Sequence, residues 1–314
     1  MSPYAATLRD IRAAATRIAP YAHQTPILTS SAIDDMAGRE LFFKCENLQK
    51  IGAFKFRGAL NAILALSDET AARGVVTHSS GNHAQAVALA AHMRGIPATI
   101  VMPSTSPAVK QRAVAGYGAR IVLCEPTLAA REIDAAKVID ETGATLIHAY
   151  NEPRVIAGQG TVALEILAQV PDLDTLVTPV GGGGLLSGTA IAAKALQPDI
   201  QVFAGEPSGA DDAARSKDAG RLILQTEPNT IADGLLTSLG SNTWPIVRDL
   251  VDGIVVVEDA QIRQAMRLIW ERMKLVIEPS AAVGLAAVLS GHVPGSRVAL
   301  VLTGGNLDLD PMFR

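Results

Sequence analysis

The sequence predicts an α/β protein built on mostly parallel sheet, and two observations carry that expectation. Strand-like and helix-like segments alternate from about residue 74 onward, and repeated strand–helix units form parallel sheets. The core material is aliphatic: 48% of residues are hydrophobic but only 4% are aromatic, which suits strands buried on both faces. A length of 314 residues accommodates two domains and a core that needs no disulfide or metal staple.

The elements follow in order. The N-terminal stretch MSPYAATLRDIRAAATRIAP reads as an amphipathic, charged helix and lacks the apolar run of a signal peptide. Gly74–His78 is a predicted strand and Asn82–Met93 an Ala-rich helix. Ala98–Met102 is again a strand. Pro107–Ala115 reads as a helix, with Ser106 as its cap and proline at the first position, where a missing amide costs nothing. Arg120–Cys124 (strand), Leu128–Glu141 (helix) and Thr145–His148 (strand) close this run. Longer elements then repeat the pattern. Val155–Gln169 reads as a helix, Thr175–Val180 as a strand, Leu185–Leu196 as a helix and Ile200–Gly205 as a strand. Gly253–Val257, Gln261–Lys274 and Arg297–Leu302 continue it. Ser208–Gly240 follows neither period and is expected to be loop-rich.

Composition excludes several function classes. The formal net charge is −4 and no basic run resembles a nucleic-acid patch. No segment approaches the ~18 uninterrupted apolar residues of a membrane span, so a soluble, cytoplasmic protein without a membrane partner is expected. Cys45 and Cys124 are the only cysteines and both lie in apolar stretches; they read as small buried hydrophobes.

In open parallel sheets, ligands sit beyond the carboxyl ends of strands, so the loops there are where chemistry is sought. Gly181, Gly182, Gly183 and Gly184 lie between a predicted strand and the helix that starts at Leu185. Without side chains, their amides close around an anion at the positive end of that helix. The run lacks the Gly-Lys-Ser/Thr of a P-loop and the glycine spacing of a dinucleotide loop, so its phosphate belongs to some other ligand. Ser79-Ser80-Gly81-Asn82-His83 suits a carboxylate; taken alone it is equally an ordinary helix start. Thr303-Gly304-Gly305-Asn306 puts a hydroxyl and two glycines at a strand end. Lys55 stands between Phe54 and Phe56. If those rings pack around it, desolvation makes its amine nucleophilic; otherwise it is a surface lysine. Together, a phosphate cradle, a carboxylate loop, a desolvated lysine and a small polar group are the parts a pyridoxal-phosphate enzyme needs.

The chain resembles the serine/threonine dehydratase and serine racemase family of fold-type II pyridoxal-phosphate enzymes. The likeness runs from Thr25-Pro26 to Asn306 through an ordered set of motifs. They are Lys44–Asn47, Gly52–Gly58, Ser79–His83, Gly158–Thr161, Gly181–Gly184, Glu206–Asp212, Ile231–Gly234, Glu278-Pro279 and Thr303–Asn306. The resemblance implies a tryptophan synthase β-like fold of two open, twisted, mostly parallel sheets flanked by helices. It implies a large cofactor domain (residues 1–73 and 151–314), a small mobile domain (74–150) and a homodimer.

The same likeness assigns roles. Lys55 would hold the cofactor as a Schiff base, with Phe54 beside its ring. Asn82 would bond its 3′-oxygen, Thr303 its ring nitrogen, and Gly181–Gly184 with Leu185 its phosphate; Glu278 joins these contacts. A hydroxyl at Thr303 does not keep the ring nitrogen protonated, which suits elimination over transamination. Ser79, Asn82 and His83 would bind the substrate carboxylate, and Ser80 matches the racemase acid/base opposite the lysine. Glu206, the carbonyl of Ala210 and Asp212 match a divalent-cation site for Mg²⁺ or Ca²⁺, with Mn²⁺ as a further candidate. The implied activity is loss of water from a β-hydroxy amino acid, giving a 2-oxo acid and ammonia, with racemisation through Lys55 and Ser80 as the alternative. Arg131 matches a position that faces a second carboxylate, which ranks 3-hydroxyaspartate ahead of L-serine and L-threonine. A non-catalytic amino-acid sensor on the same fold would be expected to lose Lys55 or Ser80; both are present.

Overall fold

A computed structural model describes residues 3–106 and 108–308. Ten strands fall into two sheets. They are β1 (Ile27–Leu28), β2 (Glu40–Cys45), β3 (Val75–His78), β4 (Ala98–Pro103), β5 (Arg120–Cys124), β6 (Thr145–Leu146), β7 (Thr175–Pro179), β8 (Gln201–Pro207), β9 (Gly253–Val257) and β10 (Arg297–Leu302). The larger sheet has the order β1-β2-β10-β7-β8-β9, and the smaller has the order β5-β4-β3-β6. Among the described strand pairs only β1–β2 is antiparallel.

The alternation of side chains along β10 explains the layers. Ala299 and Val301 pack on one face with Ile156, Val162 and Ile166 of the helix Pro153–Gln169. Val298, Leu300 and Leu302 pack on the other with Ala281 and Leu285 of the helix Pro279–Leu289. A strand sandwiched between helices must be apolar on both faces, and this one is. Cys45 and Cys124 are buried and unpaired, and no helix among the described residues is long and apolar enough to cross a membrane.

Several expectations need adjustment. The strand expected at Thr145–His148 stops at Leu146, because the His148 ring turns back to accept two backbone amides beyond it. Residues expected to be loop between Ser208 and Gly240 include the helix Asp212–Ala219. Its first turn is held from outside: Glu206, at the end of β8, accepts the amides of Ala213 and Ala214 at 2.9 and 2.8 Å. The helix expected from Pro107 is described from Ala108 to Gly116; Pro107 itself lies outside the described residues. The helix from Asp259 passes into a wider turn at Ile269–Met273 and ends at Lys274 in left-handed backbone.

The helix Pro153–Gln169 organises the larger unit by two backbone-to-backbone crossings. A Cβ on Gly158 would sit 2.6 Å from the Cα of Gly58, on the helix Lys55–Leu64. A Cβ on Gly188, on the helix Gly184–Leu196, would sit 2.5 Å from the amide nitrogen of Gly160. Beside the first crossing lies a buried charge network. Arg57, 1% exposed, grips Glu46 through two 2.8 Å bonds. It grips Glu165 at 2.6 and 2.9 Å. Lys44, fully buried, reaches Glu165 at 2.6 Å and the Thr25 carbonyl at 2.7 Å. The two cations and two anions balance, as buried charges must.

These contacts set a test. Gly158→Ala is expected to destabilise the protein by about 1–3 kcal/mol, the usual cost of overpacking. Gly284→Ala, where the added carbon meets nothing closer than 3.8 Å, should be neutral or mildly stabilising. Urea denaturation of both variants checks this; equal destabilisation would remove the crossing as a constraint.

Candidate active site

The site is assembled where loop ends meet. The segment before Lys55 is stitched to the end of β10: Phe54 N donates to Thr303 O, and Gly305 N to Gly52 O, both at 3.0 Å. Thr303 is buried at this seam. Lys55 opens its helix, so its side chain leaves from the first turn. Its Nζ donates to the carbonyl of Ala149 at 3.0 Å and stands 5.2 Å from the centre of the Phe54 ring. Burial pushes the Lys55 pKa down to about 8, against the opposing pull of Glu278. A lysine in that range is a ready nucleophile near neutral pH.

The glycine run at the end of β7 is shaped by its neighbours. A Cβ on Gly182 would fall 2.2 Å from the Tyr150 ring, and one on Gly181 would sit 3.0 Å from the Cα of Leu235. Gly183 has φ +84, a left-handed conformation that only glycine adopts freely. Thr243 Oγ1 donates to the Gly182 carbonyl at 2.9 Å, which holds that oxygen. The amides of Gly182 to Leu185 find no protein acceptor among the described residues. They form the positive end of the helix Gly184–Leu196.

The loop after β3 runs into the helix Asn82–Arg94. Asn82 Nδ2 donates to Glu278 at 2.9 and 3.2 Å, and its Oδ1 accepts from Asn306 at 2.9 Å. Glu278 is buried, and burial pushes its pKa up to about 7, opposed by the Asn82 bond. Ser79 Oγ accepts the amide of Gly81 at 3.3 Å, with Ser80 half-buried between them. Arg131, on the helix Leu128–Thr142, donates through Nε to the Thr127 carbonyl at the start of that helix, at 3.4 Å. Its charge joins burial in lowering the pKa of His78.

The profile of the pyridoxal-phosphate dependent enzymes matches residues 18–304. The chain belongs to the pyridoxal-phosphate dependent enzyme family. A serine racemase of Arabidopsis thaliana is 53% identical over 99% of this chain and 96% of its own length. A β-hydroxyaspartate dehydratase of Paracoccus denitrificans is 50% identical over 98% of this chain and 99% of its own. The solved structure of maize serine racemase superposes with a TM-score of 0.97 at 52% identity, covering 99% of this chain and 96% of that one. The architecture is accordingly fold type II of this enzyme family.

The residues present fit the family's cofactor. A loop whose Cβ positions are already filled by neighbours, with outward-facing amides at a helix start, suits a phosphate. A desolvated lysine suits an aldehyde.

The role assigned to His83 falls to its backbone amide and not to its ring. Its Nε2 lies 2.8 Å from the Ile147 carbonyl. A carbonyl only accepts, so Nε2 carries the proton. The other nitrogen, Nδ1, is buried without a partner, and burial with the nearby Lys55 charge pushes the ring's pKa down to about 3. A neutral ring whose free nitrogen is an acceptor does not donate to a carboxylate. Only the His83 amide, at the helix start, remains for that purpose.

Glu206 and Asp212 come together as buried carboxylates. Asp212 accepts the Leu239 amide at 3.2 Å. Burial raises the pKa of Glu206 to about 8 and that of Asp212 to about 6. Among the described residues no group of three or more His, Cys, Asp or Glu side chains forms a metal cluster, so a cation here would also draw on carbonyl or water oxygens.

The segment His148-Ala149-Tyr150 was not singled out from sequence. It supplies the carbonyl that meets Lys55, the ring that backs the cradle, and an imidazole beside both. It too follows a strand, β6, and that placement was its available signal.

The Lys55 environment sets a pH dependence. A lowered lysine pKa means the neutral amine becomes abundant at lower pH. Attachment of pyridoxal phosphate to cofactor-free protein, followed by absorbance, is expected to quicken about tenfold per pH unit and level off near pH 8. A rise continuing toward pH 10 would contradict the desolvated site.

Proposed function

We propose that the chain is a dehydratase of β-hydroxy amino acids, releasing a 2-oxo acid and ammonia, with 3-hydroxyaspartate ahead of L-serine and L-threonine. What supports the substrate choice is Arg131 on the helix Leu128–Thr142, whose charge bears on His78, a ring 6.1 Å from that of His148 beside Ala149. Arginine grips a carboxylate bidentately, and serine and threonine offer only one. Bound pyridoxal phosphate supplies the electron sink that makes the α-proton acidic.

The chain's residues do the rest. Lys55 holds the cofactor and, when released, takes the α-proton, a task that a pKa near 8 favours. The amides from Ser79 to His83, with the Ser79 hydroxyl and the Asn82 side chain, bind the α-carboxylate at the start of a helix. Gly181–Gly184 and Leu185 hold the phosphate. Thr303 meets the ring nitrogen, and Phe54, Asn82 and Glu278 complete the cofactor's surroundings. Residues 74–150 act as the moving unit, drawn onto the rest by Asn82–Glu278 and by Lys110–Asp233 at 3.1 Å. A second reading is racemisation, with Ser80 returning a proton to the face opposite Lys55; the serine racemase of Arabidopsis thaliana supports it. Glu206, the Ala210 carbonyl and Asp212 bind a divalent cation such as Mg²⁺, Ca²⁺ or Mn²⁺; the support is two buried carboxylates with no cationic side chain bonded to them.

A panel of 3-hydroxyaspartate, L-serine and L-threonine, read for 2-oxo acid and D-isomer, tests this. Arg131→Ala is expected to lower kcat/KM for 3-hydroxyaspartate by about 100-fold, as when one partner of a charge pair is removed. It should change L-serine by less than about threefold. Equal effects on both would sink the substrate choice. Ser80→Ala should abolish D-isomer and spare dehydration if the second reading also holds.

A further inference from the structure

Three imidazoles, those of His78, His83 and His148, form a group in which His78 bears on the other two and Lys55 bears on His83 and His148. The ring of His83 is tied to the Ile147 carbonyl. That of His148 is set up differently. Its Nδ1 accepts the amides of Asn151 at 3.0 Å and Tyr150 at 3.3 Å. Amides only donate, so the proton of the neutral ring sits on Nε2. The ring is clamped edge-on between Tyr150 at 4.6 Å and His78 at 6.1 Å. Burial, with the charges of His78 and Lys55, pushes its pKa down to about 4, so it stays neutral in the working range.

Nε2 of His148 meets no acceptor among the described residues, and it is not among the buried atoms without partners. It therefore keeps some exposure on a ring that is otherwise half-buried. The ring adjoins the reacting lysine, because the next residue, Ala149, is the one whose carbonyl receives Lys55 Nζ. Arg131 is close enough to bear on His78, whose ring stands 6.1 Å from that of His148. The site thus has a donor of fixed tautomer and fixed direction, held uncharged, that neither cofactor binding nor proton removal uses.

We infer that His148 donates through Nε2–H to the oxygen carried on the substrate's β-carbon, making it a specificity-determining residue for β-oxygenated amino acids. This rests on reading the chain as an enzyme of β-hydroxy amino acids. A neutral donor binds a hydroxyl or carboxylate oxygen without giving up its proton. His148 therefore selects the substrate and orients the leaving group, and does not act as a general acid.

The test compares His148→Phe, which keeps a ring and removes the donor, with His148→Gln, whose amide restores a donor near the Nε2 position. Two reactions of the holoenzyme are followed: turnover of 3-hydroxyaspartate and L-serine, and exchange of the α-proton of L-alanine with D₂O by NMR. Alanine has no β-oxygen. The expected result is that His148→Phe lowers kcat/KM for the β-oxygenated substrates about 10- to 100-fold, the range for one lost hydrogen bond in a site, and leaves alanine exchange within about twofold. His148→Gln should recover most of the loss and keep the wild-type pH profile. An equal loss on alanine would assign His148 a structural role and overturn the inference. Loss of an acid limb in the His148→Gln profile would make it a titrating acid and overturn it as well. Failure of the wider functional reading would show in the wild-type substrate panel, whereas failure of this inference shows only between variants.

Discussion

An aldehyde and a phosphate carried on one small molecule stay within a short reach of each other, so a protein that would grip both ends must hold its own two grips at a matching spacing. Here that constraint falls on the helix Pro153–Gln169. It crosses the helix of Lys55 at Gly158 against Gly58, and the helix of the glycine cradle at Gly160 against Gly188. Each crossing is about one turn from the functional end: Lys55 is three residues before Gly58, and Gly184 is four before Gly188. Backbone packed on backbone leaves no side chain to change rotamer, so the spacing is set by the main chain itself.

The buried charges around Arg57 serve the same geometry. A buried ion network is weak support for stability, since its desolvation offsets most of its attraction. Its directionality is another matter. Arg57 uses both edges of its guanidinium, one on Glu46 and one on Glu165, and so fixes the roll of the helix that starts two residues earlier at Lys55. Lys44 ties the same Glu165 to the N-terminal segment at Thr25. The helix that begins at Lys55 is thus oriented by this network.

What could be read in the sequence follows from how local each signal is. The run Gly181–Gly184, the strand Arg297–Leu302 and the helix beginning at Asn82 are written in adjacent residues and were legible. The desolvated setting of Lys55 was legible only in company with the other loops. Signals that arise between distant residues were not. Arg57 and Glu165 are 108 positions apart. The helix Asp212–Ala219 begins on a cap supplied by Glu206 from the preceding strand. Strand β2 carries a fully buried lysine, Lys44, which spoils the apolar pattern that would have announced it. The bond that occupies the His83 ring, to Ile147 64 positions away, has no local trace. The tautomer of His148 depends on the backbone turning back on the ring, which no periodicity records.

The central claim is that the chemistry is attached at Lys55. Borohydride reduction of the holoenzyme, followed by proteolysis and mass spectrometry, locates the attachment directly. The account requires the pyridoxyl group on the peptide that contains Lys55 and on no other. Its presence on another lysine, such as Lys44 or Lys110, with Lys55 unmodified, would contradict the account.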